Sequence, residues 1–213
     1  MKYKHIIWDW NGTLLDDVKA SLFAVNDILD IYGKPRLDLK TYYSYVDTPI
    51  YKFYERIFDL SVVTMDTIKP LYGKFYDGYE KGVKLSLGAR ELILENKKKG
   101  IKQYILSAAH IDDLTRHAKR LGVYDMFDRI DASPDFEAGS KIDRAKTLMR
   151  EEGIAPDECV LIGDTLHDLE TANELGVKCI LYSKGHTDYG KLEKTGEKVC
   201  QSFEEIRNEI LNI

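Results

Sequence analysis

Short apolar runs recur along the chain, separated by stretches with helical spacing. Lys4 to Asp9 reads as a first strand, with His5-Ile6-Ile7-Trp8 as its apolar body. Further strands are predicted at Gln103 to Ser107, near Arg129 to Ala132, at Cys159 to Ile162 and at Lys178 to Tyr182. Between them lie predicted helices at Ala89 to Lys99, about Asp112 to Leu121, about Lys141 to Glu152, and about Asp168 to Leu175, the last stopped by Gly176. Phe203 to Leu211 closes the chain as a helix. Strands alternating with helices of about ten residues imply a parallel sheet covered on both faces.

The segment from Asp16 to about Gly82 departs from that alternation. It has helical periodicity, with breaks at Gly33-Lys34-Pro35 and Thr48-Pro49. Leu22, Val25, Leu29 and Tyr32 make one apolar stripe; Tyr72, Phe75, Tyr76 and Tyr79 make another. Such stripes suit packing between antiparallel helices. A block this long is more than a crossover between two strands, so it is expected to form a second lobe. The fold class expected is α/β: a doubly wound, Rossmann-like parallel-sheet core (residues 1–15 and 85–213) with an inserted α-helical cap (16–84).

Composition narrows the function. The 213 residues are 44% apolar and 31% charged, the profile of a globular domain. The net charge of −5 argues against a general nucleic-acid or membrane-surface binder, which needs a basic face. The three cysteines (Cys159, Cys179, Cys200) have no CxxC spacing and read as free thiols in a reducing compartment. No apolar run approaches the length of a membrane span, and the N-terminus has no signal-peptide pattern. The cytoplasm is the expected location.

Polar residues sit at the ends of successive strands. Asp9 and Asn11 end the first, Ser107 the second, Lys141 opens the helix after the third, and Gly163-Asp164-Thr165-Leu166-His167-Asp168 follows the fourth. In a doubly wound sheet these positions converge on one crevice. Each residue alone has a plainer use. Asp9, Ser107, Asp164 and Asp168 suit helix caps, and Lys141 suits a solvated helix face. Their ordered recurrence is what those uses fail to explain. Together they suggest a cation and a multiply charged anion. Asp9 would present one oxygen for in-line attack on phosphorus and another for Mg²⁺. Asp164 and Asp168 would supply further oxygen ligands. Ser107 would donate to a phosphoryl oxygen, Lys141 would spread positive charge over it, and backbone N–H groups from Trp10 to Gly12 would complete the cradle.

The chain resembles the haloacid dehalogenase-like hydrolase superfamily, in its phosphoglycolate phosphatase-like branch with a helical cap. The resemblance rests on Asp9-Trp10-Asn11-Gly12-Thr13-Leu14 (family pattern Asp-x-Asp-Gly-Thr), Ser107, Lys141, and Gly163-Asp164-Thr165-x-x-Asp168. It implies a Mg²⁺-dependent phosphatase acting on a small phosphorylated metabolite through an aspartyl-phosphate at Asp9. The metal would lie on Asp9, the Asn11 carbonyl and Asp164, with Asp168 alongside. Ser107 and Ala108, with Trp10, Gly12 and Lys141, would hold phosphate. No nucleic-acid or membrane partner is implied, and the chain is expected to be a monomer or homodimer.

Asn11 departs from the pattern. The family acid/base lies there, and a carboxamide transfers no protons at neutral pH. Three readings stay open: substrates with good leaving groups, a substitute acid such as His110 or His167, or a position substituted deliberately to trap a complex; the rival function is a catalytically weak phosphate-ligand-binding or regulatory protein. A carbon–phosphorus hydrolase using a cap lysine, Lys52, is a further alternative. Lys52 and Arg56, one turn apart, are candidate contacts for a substrate carboxylate or second phosphate.

Overall fold

The computed structural model describes residues 3–134 and 141–211. The strands are β1 (His5–Trp8), β2 (Leu15–Asp16), β3 (Lys84–Leu85), β4 (Lys102–His110), β5 (Arg129–Ser133), β6 (Cys159–Gly163), β7 (Lys178–Tyr182) and β8 (Lys198–Cys200). Among the described residues, six of them form one parallel sheet in the order β5-β4-β1-β6-β7-β8. The central strand β1 pairs Trp8 with Ile105 on one side and with Ile162 on the other. The connection order reverses at β1, which puts the ligand crevice of such a sheet at its carboxyl end.

The strands read as near-continuous apolar runs because both faces are covered. Alternate residues serve opposite faces. Ile6, Trp8, Ile105, Ile162 and Ile180 pack against α5 (Ala89–Lys98), α6 (Ile111–Arg120) and α10 (Phe203–Leu211). Ile7, Tyr104, Leu161 and Cys179 pack against α7 (Lys141–Glu151) and α8 (Leu166–Leu175).

The helical block resolves into α1 (Val18–Ile31), α2 (Leu39–Tyr45), α3 (Tyr51–Glu55) and α4 (Met65–Tyr79). Val18, Leu22, Val25, Ile28 and Leu29 of α1 build a separate apolar cluster with Tyr42, Phe53, Phe58 and Ile68. The α4 helix bridges two clusters: Ile68 belongs to this one, while Tyr76 packs with the sheet. The two connections between sheet and helical block run side by side as an antiparallel ribbon, Leu15 opposite Leu85 and Asp16 opposite Lys84. Ser86 ties them further, its hydroxyl donating to the Thr13 carbonyl at 2.6 Å.

Some elements differ from the expectation. Short ones were not foreseen: β2, β3, β8, and α9 (Tyr189–Glu193). Runs of two to five residues are too brief to show a period. The β4 strand also continues past Ser107 to His110, with a register shift between Leu106 and His110. Such an irregularity re-aims side chains next to a crevice. The cysteines are free and buried.

Candidate active site

Asp9 is the first residue beyond β1, its N–H donating to the Ile162 carbonyl at 2.8 Å. The chain then turns sharply: the Gly12 N–H reaches the Leu15 carbonyl at 2.9 Å, and Leu15 N–H returns to the Trp10 carbonyl at 2.8 Å. Gly12 has φ +75°, which L side chains rarely adopt, and a Cβ there would collide with the Asp164 carboxylate and the His186 ring. The turn therefore approaches Asp164 as closely as a backbone can. Thr13 fixes that approach, its hydroxyl donating to Asp164 Oδ1 at 2.8 Å.

Lys141 opens α7 and is buried. Its Nζ donates to Asp9 Oδ1 and Asp168 Oδ1, both at 2.5 Å. The other oxygen of Asp168 accepts from the N–H groups of Asp164 (3.1 Å) and Thr165 (2.9 Å) and from the Thr165 hydroxyl (2.7 Å), completing a capping box for α8. Asp168 thus caps a helix and also anchors the lysine. Among the described residues no hydrogen-bond donor reaches the second oxygen of Asp9.

Asp9, Asp164 and Asp168 are all buried, with ligand oxygens within 4.8 Å of one another. Burial pushes the Asp9 carboxyl well above its ordinary range despite Lys141, and Asp168 and Asp164 add repulsion. Asp164 is pushed up to about 6, by burial against the pull of His186. At Asp168 burial is outweighed by Lys141, and the carboxyl titrates below its usual value. The donor set is all oxygen and fits a hard cation. Among the described residues, four buried carboxylates, counting Asp17, are hydrogen-bonded to two basic side chains, Lys141 and His186, so a divalent ion would reduce the repulsion.

Ser107 lies on β4, two positions beyond the paired Ile105 as Trp10 is beyond Trp8. Its Oγ accepts from Ala109 N–H at 3.0 Å, and among the described residues no acceptor takes its own proton. Arg144 holds the Ser107 carbonyl at 2.6 Å. Ala108 is exposed. The Trp10 side chain is in the core, and only its backbone belongs to the turn; among the described residues its Nε1 finds no partner.

Other expected residues lie apart. Lys52 is exposed on α3, without the desolvated setting a Schiff-base lysine needs. Arg56 is exposed, its guanidinium bound to the Ser44 carbonyl (2.6 Å) and Asp47 (2.9 Å). His110 caps α6, accepting from Asp112 N–H. His167 pairs with Glu170 at 3.0 Å.

A histidine that sequence reading passed over is drawn in. His186, on the loop after β7, donates its N–H to Asp164 Oδ2 at 2.6 Å, and its Nε2 lies 3.2 Å from Asp17 Oδ1. Burial lowers its affinity for a proton, but Asp17 outweighs that and holds the imidazole at about 9. The signal was present in Lys184-Gly185-His186, a polar glycine turn at the end of one more strand. Asp17 is also buried. It accepts from Asn11 Nδ2 (2.7 Å), Gly12 N–H (2.8 Å) and the Tyr76 hydroxyl (2.8 Å). Burial opposes its ionisation, yet His186 and these donors leave its carboxyl below the ordinary value.

Comparison with known proteins agrees with this geometry. A family model described as haloacid dehalogenase-like hydrolase matches residues 6–182. The N-acetylmuramic acid 6-phosphate phosphatase of Pseudomonas aeruginosa is 25% identical over 192 residues, covering 87% of this chain and 84% of the relative. The phosphoglycolate phosphatase of Thiobacillus denitrificans is 26% identical over 193 residues, covering 84% and 83%. A solved haloacid dehalogenase-like family hydrolase from Streptococcus pneumoniae superposes with a TM-score of 0.84 at 21% identity, over 96% of this chain and 97% of that one.

Proposed function

The chain belongs to the haloacid dehalogenase-like hydrolase family, and from that footing we propose that it is a phosphatase of small phosphate monoesters, with Asp9 as nucleophile. The observation that carries the reading is the Asp9 carboxylate: one oxygen is clamped by Lys141 at 2.5 Å, and among the described residues the other accepts from no donor. Both named relatives are phosphatases, which supports the same class.

Asp9, the Asn11 carbonyl and Asp164 would hold Mg²⁺, with Asp168 orienting Lys141. The ion, when bound, would offset charge between an anionic nucleophile and an anionic phosphoryl group. The free Asp9 oxygen attacks phosphorus. A P–O bond to Asp9 forms, the ester P–O bond breaks, and the alcohol oxygen leaves with the bond pair. Water then attacks the aspartyl-phosphate, releasing phosphate and restoring the carboxylate. Lys141, the Ser107 hydroxyl and the N–H groups of the turn stabilise the phosphoryl oxygens in both steps, except the expected Gly12 N–H, which is taken by the Leu15 carbonyl and Asp17. Asn11 gives no proton to the leaving oxygen, so esters with weakly basic leaving groups, such as acyl or aryl phosphates, should turn over fastest. The helices α1 to α4 would serve as a cap that excludes water during the reaction.

A phosphometabolite panel, run with and without Mg²⁺, tests this. Metal-dependent release of phosphate that Asp9→Asn abolishes is the expected result. Tight binding of phosphate esters with no turnover would overturn it and favour the rival reading, a phosphate-binding protein, which rests on the carboxamide at position 11.

A further inference from the structure

Asn11 is not an isolated loss of a carboxylate. Its amide points at Asp17, a second buried carboxylate six positions on, and donates to Asp17 Oδ2 at 2.7 Å. Asp17 gathers three chain segments. Gly12 N–H from the nucleophile turn reaches Oδ1 at 2.8 Å, the Tyr76 hydroxyl of α4 reaches Oδ2 at 2.8 Å, and His186 from the loop after β7 lies 3.2 Å from Oδ1. The other ring nitrogen of His186 lies 2.9 Å from the hydroxyl of Tyr42 on α2. Nearby, Lys191 of α9 donates to the Tyr43 carbonyl at 2.9 Å and the Val46 carbonyl at 3.3 Å, at the end of the same helix. The path Asn11–Asp17–His186–Tyr42 therefore runs from the turn after the nucleophile to a helix of the cap without a break.

We propose that Asp17 is a positioning residue for the phosphatase reaction: with Asn11 as its matching donor it fixes the turn that carries Asp9, and through His186 and Tyr42 it ties the cap down over that turn. The proposal rests on the phosphatase reading above.

The pairing explains why an amide occupies position 11. A carboxylate there would lose the donor and face Asp17 across hydrogen-bond distance in a buried site, where like charges are costly. Restoring the family's aspartate at position 11 alone should therefore harm this protein. Exchanging the two residues should repair the harm. In the Asn11→Asp/Asp17→Asn protein the donor lies on the other partner. The remaining oxygen of residue 17 still accepts from Gly12, and the Tyr76 hydroxyl can accept as readily as donate.

The test uses the full chain with Mg²⁺, p-nitrophenyl phosphate as an aryl phosphate probe, and thermal unfolding. Asn11→Asp and Asp17→Asn should each lower kcat by about 10- to 100-fold, the loss of a hydrogen bond to a charged group. The exchange variant should recover most of that loss and of the unfolding midpoint. Tyr42→Phe should raise KM about tenfold with the midpoint nearly unchanged, because it releases the cap and leaves the Asn11–Asp17 pair intact. An Asn11→Asp protein as active as the original, or an exchange variant as impaired as the two single changes combined, would overturn the proposal. If the original protein turns over no phosphate ester, the phosphatase reading fails. The midpoints of the same four proteins then decide the pairing: recovery in the exchange variant supports it, and additive losses overturn it.

Discussion

Lys141 Nζ donates to Asp9 Oδ1 at 2.5 Å across 132 positions of sequence, and both residues are buried. Among the described residues, the contact leaves Asp9 with one held and one open oxygen.

Lys141→Ala should therefore remove two functions together. Asp9 and Asp168 would lose the cation that both share. Breaking a buried ion pair from one side costs about 3–5 kcal/mol. Loss of a charge stabiliser at the reacting group costs about 10²–10³ in kcat. Urea unfolding and phosphate release read the two effects. An active, undiminished variant would contradict the role given to the lysine.

Gly12→Ala is expected to fail for a backbone reason. The residue has φ +75°, and the added carbon would meet the Asp164 carboxylate and the His186 ring. The left-handed conformation alone costs about 1–2 kcal/mol. That corresponds to roughly 2–8 °C in Tm for a chain of this size. The collision with Asp164 should also abolish turnover. A calorimetric midpoint within a degree of the original would refute the strain argument.

The carboxylates at strand ends were legible in the sequence because a polar residue terminating an apolar run stands out against a buried sheet. Asp9, Lys141, Asp164 and Asp168 converge as the strand order predicts. The helical stripes were legible for the same reason, and Leu22, Val25 and Leu29 are buried together. What could not be read was which surface or loop residue is carried to the crevice by tertiary packing. Lys52 lies on α3 and Arg56 directly after it, and both are exposed. Asp17 stands next to Asp16 as a second acidic residue at the start of the helical block, yet it is 1% exposed while Asp16 is exposed. His186 follows the fifth apolar run, and only the sheet order shows that this loop reaches back over Asp164.

Mg²⁺ should stabilise the folded chain through the Asp9–Asp164 cluster. A ligand bound only by the native state adds about 2.7 kcal/mol at a hundredfold excess over its Kd. The thermal midpoint should rise with Mg²⁺ and return when a chelator removes it. In Asp164→Asn the rise should be lost, since one of three clustered carboxylates has gone. A Mg²⁺ response unchanged by that substitution would move the ion elsewhere.

The last prediction concerns acid stability and a site remote from the crevice. Arg207 of α10 grips Glu95 of α5 through two bonds, at 2.6 and 2.9 Å, and Lys99 adds an ion pair at 2.9 Å. Hydrogen bonding to Arg207 is the main reason the Glu95 carboxyl is pushed down to about 2. A folded-state value below the unfolded one stabilises the fold while the carboxylate is ionised in both states. That stability is complete above the ordinary value of 4.5 and is lost as the pH falls towards about 2. The groups are partly exposed, with side chains of Glu95 and Arg207 at 28% and 37%, so solvent screening holds the gain to about 1 kcal/mol. Arg207→Met should thus be less stable than the original at neutral pH, and the gap should close as the pH drops below 4.5. Urea midpoints measured at several pH values read it directly. A gap independent of pH would mean that Arg207 stabilises the helix pair by packing its aliphatic stem rather than by its charge.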